Sequence, residues 1–123
     1  MTERVTFHLD EVIGDAMHGA LWKWRGRCAI ANGCFDGCHP GHLEILAALD
    51  AEAYARRLRP IVALNSDLSV KGLKGSARPI IPAVARATLI NNLRWPLSVV
   101  IFDEENPQRL MDWFQPTVVI KGQ

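Results

Sequence analysis

The sequence predicts an α/β domain, a parallel sheet with helices on both faces. Short apolar runs of strand length recur at Arg27–Asn32, Pro60–Asn65, Ser98–Phe102 and Thr117–Ile120. Segments with helical spacing fall between them, and the connections are short. The 123 residues suffice for one domain, residues 1–123, with no internal repeat and no linker-like tract.

From Phe7 to Trp24, apolar Leu9, Val12, Ile13, Ala16, Met17, Ala20 and Leu21 recur at helical spacing, against Gly14 and Gly19. Gly26 supplies a stop. Residues 1–26 thus read as a helical cover on a core of residues 27–123. The first strand, Arg27–Asn32, runs into a glycine-bearing turn, Gly33-Cys34-Phe35-Asp36-Gly37. A helix follows from Leu43 and ends near Arg59, with His39 and His42 on its first turn. Pro60–Asn65 is the second strand. Ser66 to Pro82, rich in Gly, Lys and Pro and without apolar period, reads as a mobile loop. Ala83 to Leu93 is helical and Ser98–Phe102 is the third strand. Asn106-Pro107 opens another helix, with a capping residue and proline at its first position. Thr117–Ile120 is the fourth strand.

The formal net charge of +1 leaves no nucleic-acid footprint. No run approaches a membrane span and no signal peptide opens the chain. Three cysteines, an odd number, fit a reduced, cytoplasmic setting. Trp22, Trp24, Trp95 and Trp113 are not interleaved with basic residues and read as core or interface packing.

The chemistry gathers at His39-Pro40-Gly41-His42, where strand hands over to helix. Free N–H groups and the dipole at a helix N-terminus favour an anion, and two imidazoles add donors. Phosphoryl or nucleotidyl transfer is the chemistry this suggests. Lys71, Lys74 and Arg78 cluster on one loop, at the scale of a phosphate. Zinc on Cys34, Cys38, His39 and His42 is disfavoured, because four ligands on one turn strain a tetrahedron.

Asn32-Gly33-Cys34-Phe35-Asp36 followed by His39-Pro40-Gly41-His42 resembles the opening motif of cytidylyltransferase-like nucleotidyltransferases. Asn65 to Gly75, then Arg78-Pro79-Ile80, is similar to the branch that adenylylates heptose 1-phosphate. Asn106 to Leu110 and Val118 to Gly122 also fit, so the resemblance runs from Arg27 to the C-terminus. It implies a Rossmann-like, doubly wound three-layer α/β/α fold. It implies catalytic roles for His39, His42 and Lys71, and nucleotide binding by Gly33, Cys34, Phe35, His39, Gly41, His42, Lys121 and Gly122. Acceptor binding falls to Asp36, Lys71, Lys74 and Arg86. For Asp36 an Asx turn stands beside that role. For the lysines a solvated loop does, and for Arg86 a structural place on its helix.

The implied reaction joins a nucleoside monophosphate unit from ATP or CTP to a small sugar or polyol phosphate and releases pyrophosphate. Mg²⁺ accompanies the nucleotide, and no protein metal site is implied. Heptose 1-phosphate with ATP leads, glycerol 3-phosphate with CTP follows, and a non-catalytic nucleotide-binding module is the alternative of another class. A homodimer is compatible with the family. Its members continue past the Lys-Gly pair with a Gly-Asp turn, a strand and a Ser/Thr-rich helix start, whereas this sequence stops at Gln123. A piece of a longer product and a minimal form both account for that.

Overall fold

The computed structural model describes residues 6–14, 21–37 and 39–121. Five parallel strands form one sheet in the order β1-β4-β3-β2-β5. They are β1 (Thr6–His8), β2 (Cys28–Gly33), β3 (Arg59–Asn65), β4 (Ser98–Phe102) and β5 (Val118–Ile120). The helices are α1 (Leu9–Gly14), α2 (Pro40–Arg56), α3 (Asp67–Lys74), α4 (Ala83–Asn91) and α5 (Gln108–Phe114). This is the predicted doubly wound, Rossmann-like α/β fold.

Period-two alternation along the strands divides the apolar residues between the two faces. Ala29, Ala31, Val62, Leu64 and Val99 pack with Leu46, Leu49 and Ala53 of α2 and Ala87 and Ile90 of α4. Cys28, Ile30, Ile61, Ala63, Val100 and Phe102 face Leu9 and Val12 of α1 and Leu110 and Phe114 of α5. Burying both faces explains why the central strands are near-continuous apolar runs. Among the described residues no helix is long and apolar enough to cross a membrane.

Two elements differ from the sequence-based expectation. The N-terminal segment is not a helix from Phe7. Thr6–His8 is a fifth strand, paired with Val99–Ile101 at the sheet edge, and the helix starts only at Leu9. The expected helix residues 15–20 lie outside the described residues. Ser66–Pro82 is likewise not one loop. Ser66 Oγ accepts from Ser69 N–H at 3.1 Å and caps α3, which carries Lys71 and Lys74 in its last turn.

The chain steps from β2 through β3 to β4 in one direction, then crosses to place β5 on the other side of β2. The strand order therefore reverses between β2 and β5. In open parallel sheets, ligands bind at such a reversal, beyond the C-terminal strand ends.

Candidate active site

A cavity of about 670 Å³ opens at that point. Asn32, Gly33, Cys34 and Phe35 from the end of β2 line it, with His39, Gly41 and His42 from the start of α2 and Ile120 and Lys121 from β5. The residues expected to contact nucleotide or acceptor divide accordingly: Gly33, Cys34, Phe35, His39, Gly41, His42 and Lys121 share one wall, and Lys71 and Lys74 stand on α3.

The two histidines cap their own helix. His39 is the N-cap residue, and its Nδ1 accepts from Gly41 N–H at 3.0 Å. In return, His39 N–H donates to Nδ1 of His42 at 3.2 Å. This is a reciprocal capping box built from imidazoles in place of the usual hydroxyl and carboxylate. A ring nitrogen that accepts a hydrogen bond carries no proton, so both neutral rings hold theirs on Nε2. The rings stack at 3.7 Å between centroids, and the Phe35 ring meets His42 edge-on at 5.1 Å.

That arrangement corrects one expectation. The first-turn amides are not free for an anion, because Pro40 has none, Gly41 donates to His39 and His42 N–H donates to the His39 carbonyl at 2.9 Å. The outward donors at this helix end are the imidazole Nε2–H groups. Gly41 also has a local reason to be glycine: a Cβ there would stand 2.9 Å from His39 Cε1 and 3.1 Å from its Nδ1.

Burial lowers the pKa of His42, and the neighbouring His39 and Lys74 lower it further. Neutral His42 is therefore favoured, the form whose Nδ1 accepts from His39. Burial pushes the Cys34 thiol up, against the opposing fields of Lys74 and Arg86. The ammonium of Lys74 thus acts on the histidine wall, whereas Lys71, one turn earlier, is not among the charges that do; both lysines are exposed and neither lines the cavity.

Asp36 and Arg86 stand behind this wall. Both Asp36 oxygens accept backbone N–H groups, from Ile80 and Ile81 at 2.8 Å each, and its side chain is only 4% exposed. Burial alone would raise its pKa; those two donors, with Arg86 and Arg78, outweigh it and hold the carboxyl low. Asp36 therefore ties the turn after β2 to the segment between α3 and α4.

Arg86 departs further from the expected phosphate contact. Its side chain has no exposure, and it donates to the carbonyls of Ile81, Cys34 and Asn65 and to Asp67 Oδ1, at 2.7–2.8 Å. A substrate phosphate has no path to it. Cys38 and Gly122 lie outside the described residues.

The sequence reading did not single out Glu44, Ile45, Ala48 and Ile120, which also line the cavity. A signal was available for three of them, since positions 41, 44, 45 and 48 share one face of a helix that begins at Pro40. Among the described residues, the group of side chains close enough to hold a metal is His8, Asp10 and Asp103, at the opposite sheet edge. There His8 Nε2 lies 3.1 Å from Asp103, and Arg109 binds Asp10 at 2.8 Å.

Comparison with known proteins agrees with this fold. A family model described as cytidylyltransferase-like matches residues 30–123. A protein named bifunctional protein HldE from Bradyrhizobium sp. (strain ORS 278) is 46% identical over 104 residues, covering 84% of this chain and 20% of its own. The protein of that name from Rhodopseudomonas palustris (strain BisA53) is 46% identical over 108 residues, covering 87% and 21%. That from Caulobacter sp. (strain K31) is 45% identical over 104 residues, covering 84% and 20%. The chain spans about a fifth of the length of these curated relatives.

Proposed function

Because the chain belongs to the cytidylyltransferase-like nucleotidyltransferase family, we propose that it transfers a nucleotidyl group from a nucleoside triphosphate to a sugar phosphate. An oxygen of the acceptor phosphate attacks the α-phosphorus. The bond from that phosphorus to the β-bridging oxygen breaks, and pyrophosphate leaves. The acceptor supplies the nucleophile, so the protein needs none and contributes positioning and charge stabilisation.

The observation that carries the reading is the locked pair of imidazoles. Their Nδ1 atoms are held by the helix backbone, so two neutral Nε2–H donors stand together at the cavity wall. Negative charge grows on the non-bridging oxygens as the bond to pyrophosphate lengthens, and fixed donors stabilise it without reorganising. Lys74 adds positive charge near His42, and Lys71 extends the basic face of α3 toward the acceptor. Gly33, Cys34, Phe35, Gly41, Lys121 and Gly122 complete the nucleotide contacts in this reading.

Mg²⁺ enters with the triphosphate as part of the substrate. Among the described residues Glu44 is the one carboxylate lining the cavity, and Asp36 is engaged by Ile80 and Ile81, so the wall offers no carboxylate cage.

The pair we put first is ATP with D-glycero-D-manno-heptose 1-phosphate, on the resemblance of Asn65–Gly75. The test is pyrophosphate release with Mg²⁺, crossing ATP and CTP against heptose 1-phosphate and glycerol 3-phosphate. Turnover confined to ATP and heptose 1-phosphate is the expected result. Turnover with CTP and glycerol 3-phosphate overturns the substrate assignment, and silence from folded protein with every pair overturns catalysis by this chain.

A further inference from the structure

Among the described residues Arg86 is the largest fully enclosed side chain, and the reaction gives it no direct part. A buried guanidinium is costly unless its donors are paired. Here four hydrogen bonds pair them. Their targets are informative. Nη1 bridges the carbonyls of Cys34 and Asn65, at the ends of the adjacent strands β2 and β3, both at 2.7 Å. Nε holds Ile81, and Nη2 holds Asp67 at the start of α3.

The bond to Cys34 has a consequence for the cavity. In a planar trans peptide the N–H points opposite to the C=O. Pinning the Cys34 carbonyl against Arg86 therefore turns the Phe35 N–H away from Arg86. Cys34 and Phe35 both line the cavity. Among the described residues, the Phe35 N–H has no hydrogen-bond partner. Phe35 has φ 48°, a left-handed conformation of the kind that builds anion-binding concavities from successive N–H groups. Its ring is wedged between His42 and Gly33, where a Cβ on Gly33 would come within 2.9 Å of it. The resemblance of this turn to the family motif already gives Cys34 and Phe35 to the nucleotide, and the first turn of α2 has no free amide to add.

Resting on the nucleotidyl-transfer reading, we infer that Arg86 is a positioning residue that never touches the nucleotide. It orients the Cys34–Phe35 peptide so that the Phe35 N–H joins the His39 and His42 Nε2–H groups as a third donor to phosphate oxygen.

The test is an NMR titration of the full chain, ¹⁵N-labelled, with magnesium pyrophosphate. In the wild type the Phe35 amide moves downfield together with the ring signals of His39 and His42. In Arg86→Lys, which keeps the charge and loses the fork, the rings still respond and the Phe35 shift is lost. Affinity drops about tenfold, the worth of one hydrogen bond to a charged group.

A Phe35 amide that stays still in the wild type while the imidazoles respond overturns the inference, as does a full Phe35 response in Arg86→Lys. If that variant does not fold, Asp67→Ala removes the Nη2 anchor and lets the guanidinium turn. A diminished Phe35 response then supports the inference and a full wild-type response overturns it. If neither Phe35 nor the imidazoles respond, the nucleotide site itself is wrong, which distinguishes the failure of that reading.

Discussion

His39 donates its amide N–H to Nδ1 of His42, and Nδ1 of His39 accepts the amide N–H of Gly41, so one pair of rings both starts a helix and faces the cavity. The two duties use different nitrogens, and they can be separated. Asparagine ranks with the best N-cap residues, so His39→Asn keeps melting within about 0.5 kcal/mol of wild type. It removes the Nε2–H donor. Loss of one such donor lowers turnover by about 10²–10³. Thermal unfolding beside pyrophosphate release reads both, and full activity in the His39→Asn variant would remove His39 from the chemistry.

Gly41→Ala makes the complementary split. Alanine in place of glycine favours a helix by up to about 1 kcal/mol. The new Cβ lies 2.9 Å from the His39 ring and pushes it off Gly41 N–H. Loss of that cap costs about 1 kcal/mol. The two effects nearly cancel in a denaturation curve. The displaced imidazole does not cancel, so turnover falls while the midpoint hardly moves. Equal loss of both would show that the ring is held by something other than Gly41.

Acid acts through the same bond. The pKa of His42 is lowered in the folded state, so between that value and the ordinary histidine value the unfolded chain binds more protons. Stability is then full above the ordinary value and is lost as pH falls through this window. Protonation also places a hydrogen on Nδ1, where His39 N–H needs a lone pair. Urea midpoints from pH 7 to pH 5 should fall more steeply for wild type than for His42→Asn, which has no titrating ring. Parallel slopes would assign the acid sensitivity elsewhere.

Residue types at this site were readable because the turn after β2 is local: a buried apolar strand, glycines, then histidine and proline at a helix start. Their protonation was not, since it depends on which nitrogen meets which amide. The edge strand escaped notice because Thr6–His8 is too short to show a period and exists only by pairing with Val99–Ile101. Helix α3 hides its signal for another reason. It buries only Ser69 and Val70 and stands on its Ser66 cap, so an apolar count finds nothing. Arg86 admitted both a phosphate contact and a structural place, because an arginine on a helix looks the same from the sequence whether it meets solvent or three carbonyls and the half-exposed Asp67. Convergence of Cys34, Asn65 and Ile81 carbonyls is tertiary.

Asp36 gives a stability prediction free of the histidines. Its carboxylate receives two amide donors, and an asparagine can offer an oxygen to only one. The other amide then faces an NH₂ group. Asp36→Asn should cost about 2 kcal/mol, the worth of a hydrogen bond to a charged acceptor. The pH sign differs from that of His42. A carboxyl held below its ordinary pKa stabilises above that ordinary value, and the contribution disappears as pH falls through the folded value. The gap between wild type and Asp36→Asn should therefore close in strong acid, and a gap independent of pH would contradict the assignment.

Lys74 and Lys71 separate by titration as well as by rate. Both stand in the last turn of α3, yet only Lys74 is among the charges that lower His42. Removing a positive charge nearby makes protonation easier, so in Lys74→Ala the His42 pKa rises toward the ordinary histidine value. Lys71→Ala leaves it where it was. Following the His42 ring proton by NMR against pH in the two variants decides the matter without any substrate. The same proximity makes Lys74 the lysine whose loss weakens triphosphate binding, by about 1–2 kcal/mol for a charge-assisted contact. A His42 curve that moves equally in both variants would mean the helix acts as one diffuse charge, and Lys74 would lose its claim to the phosphate.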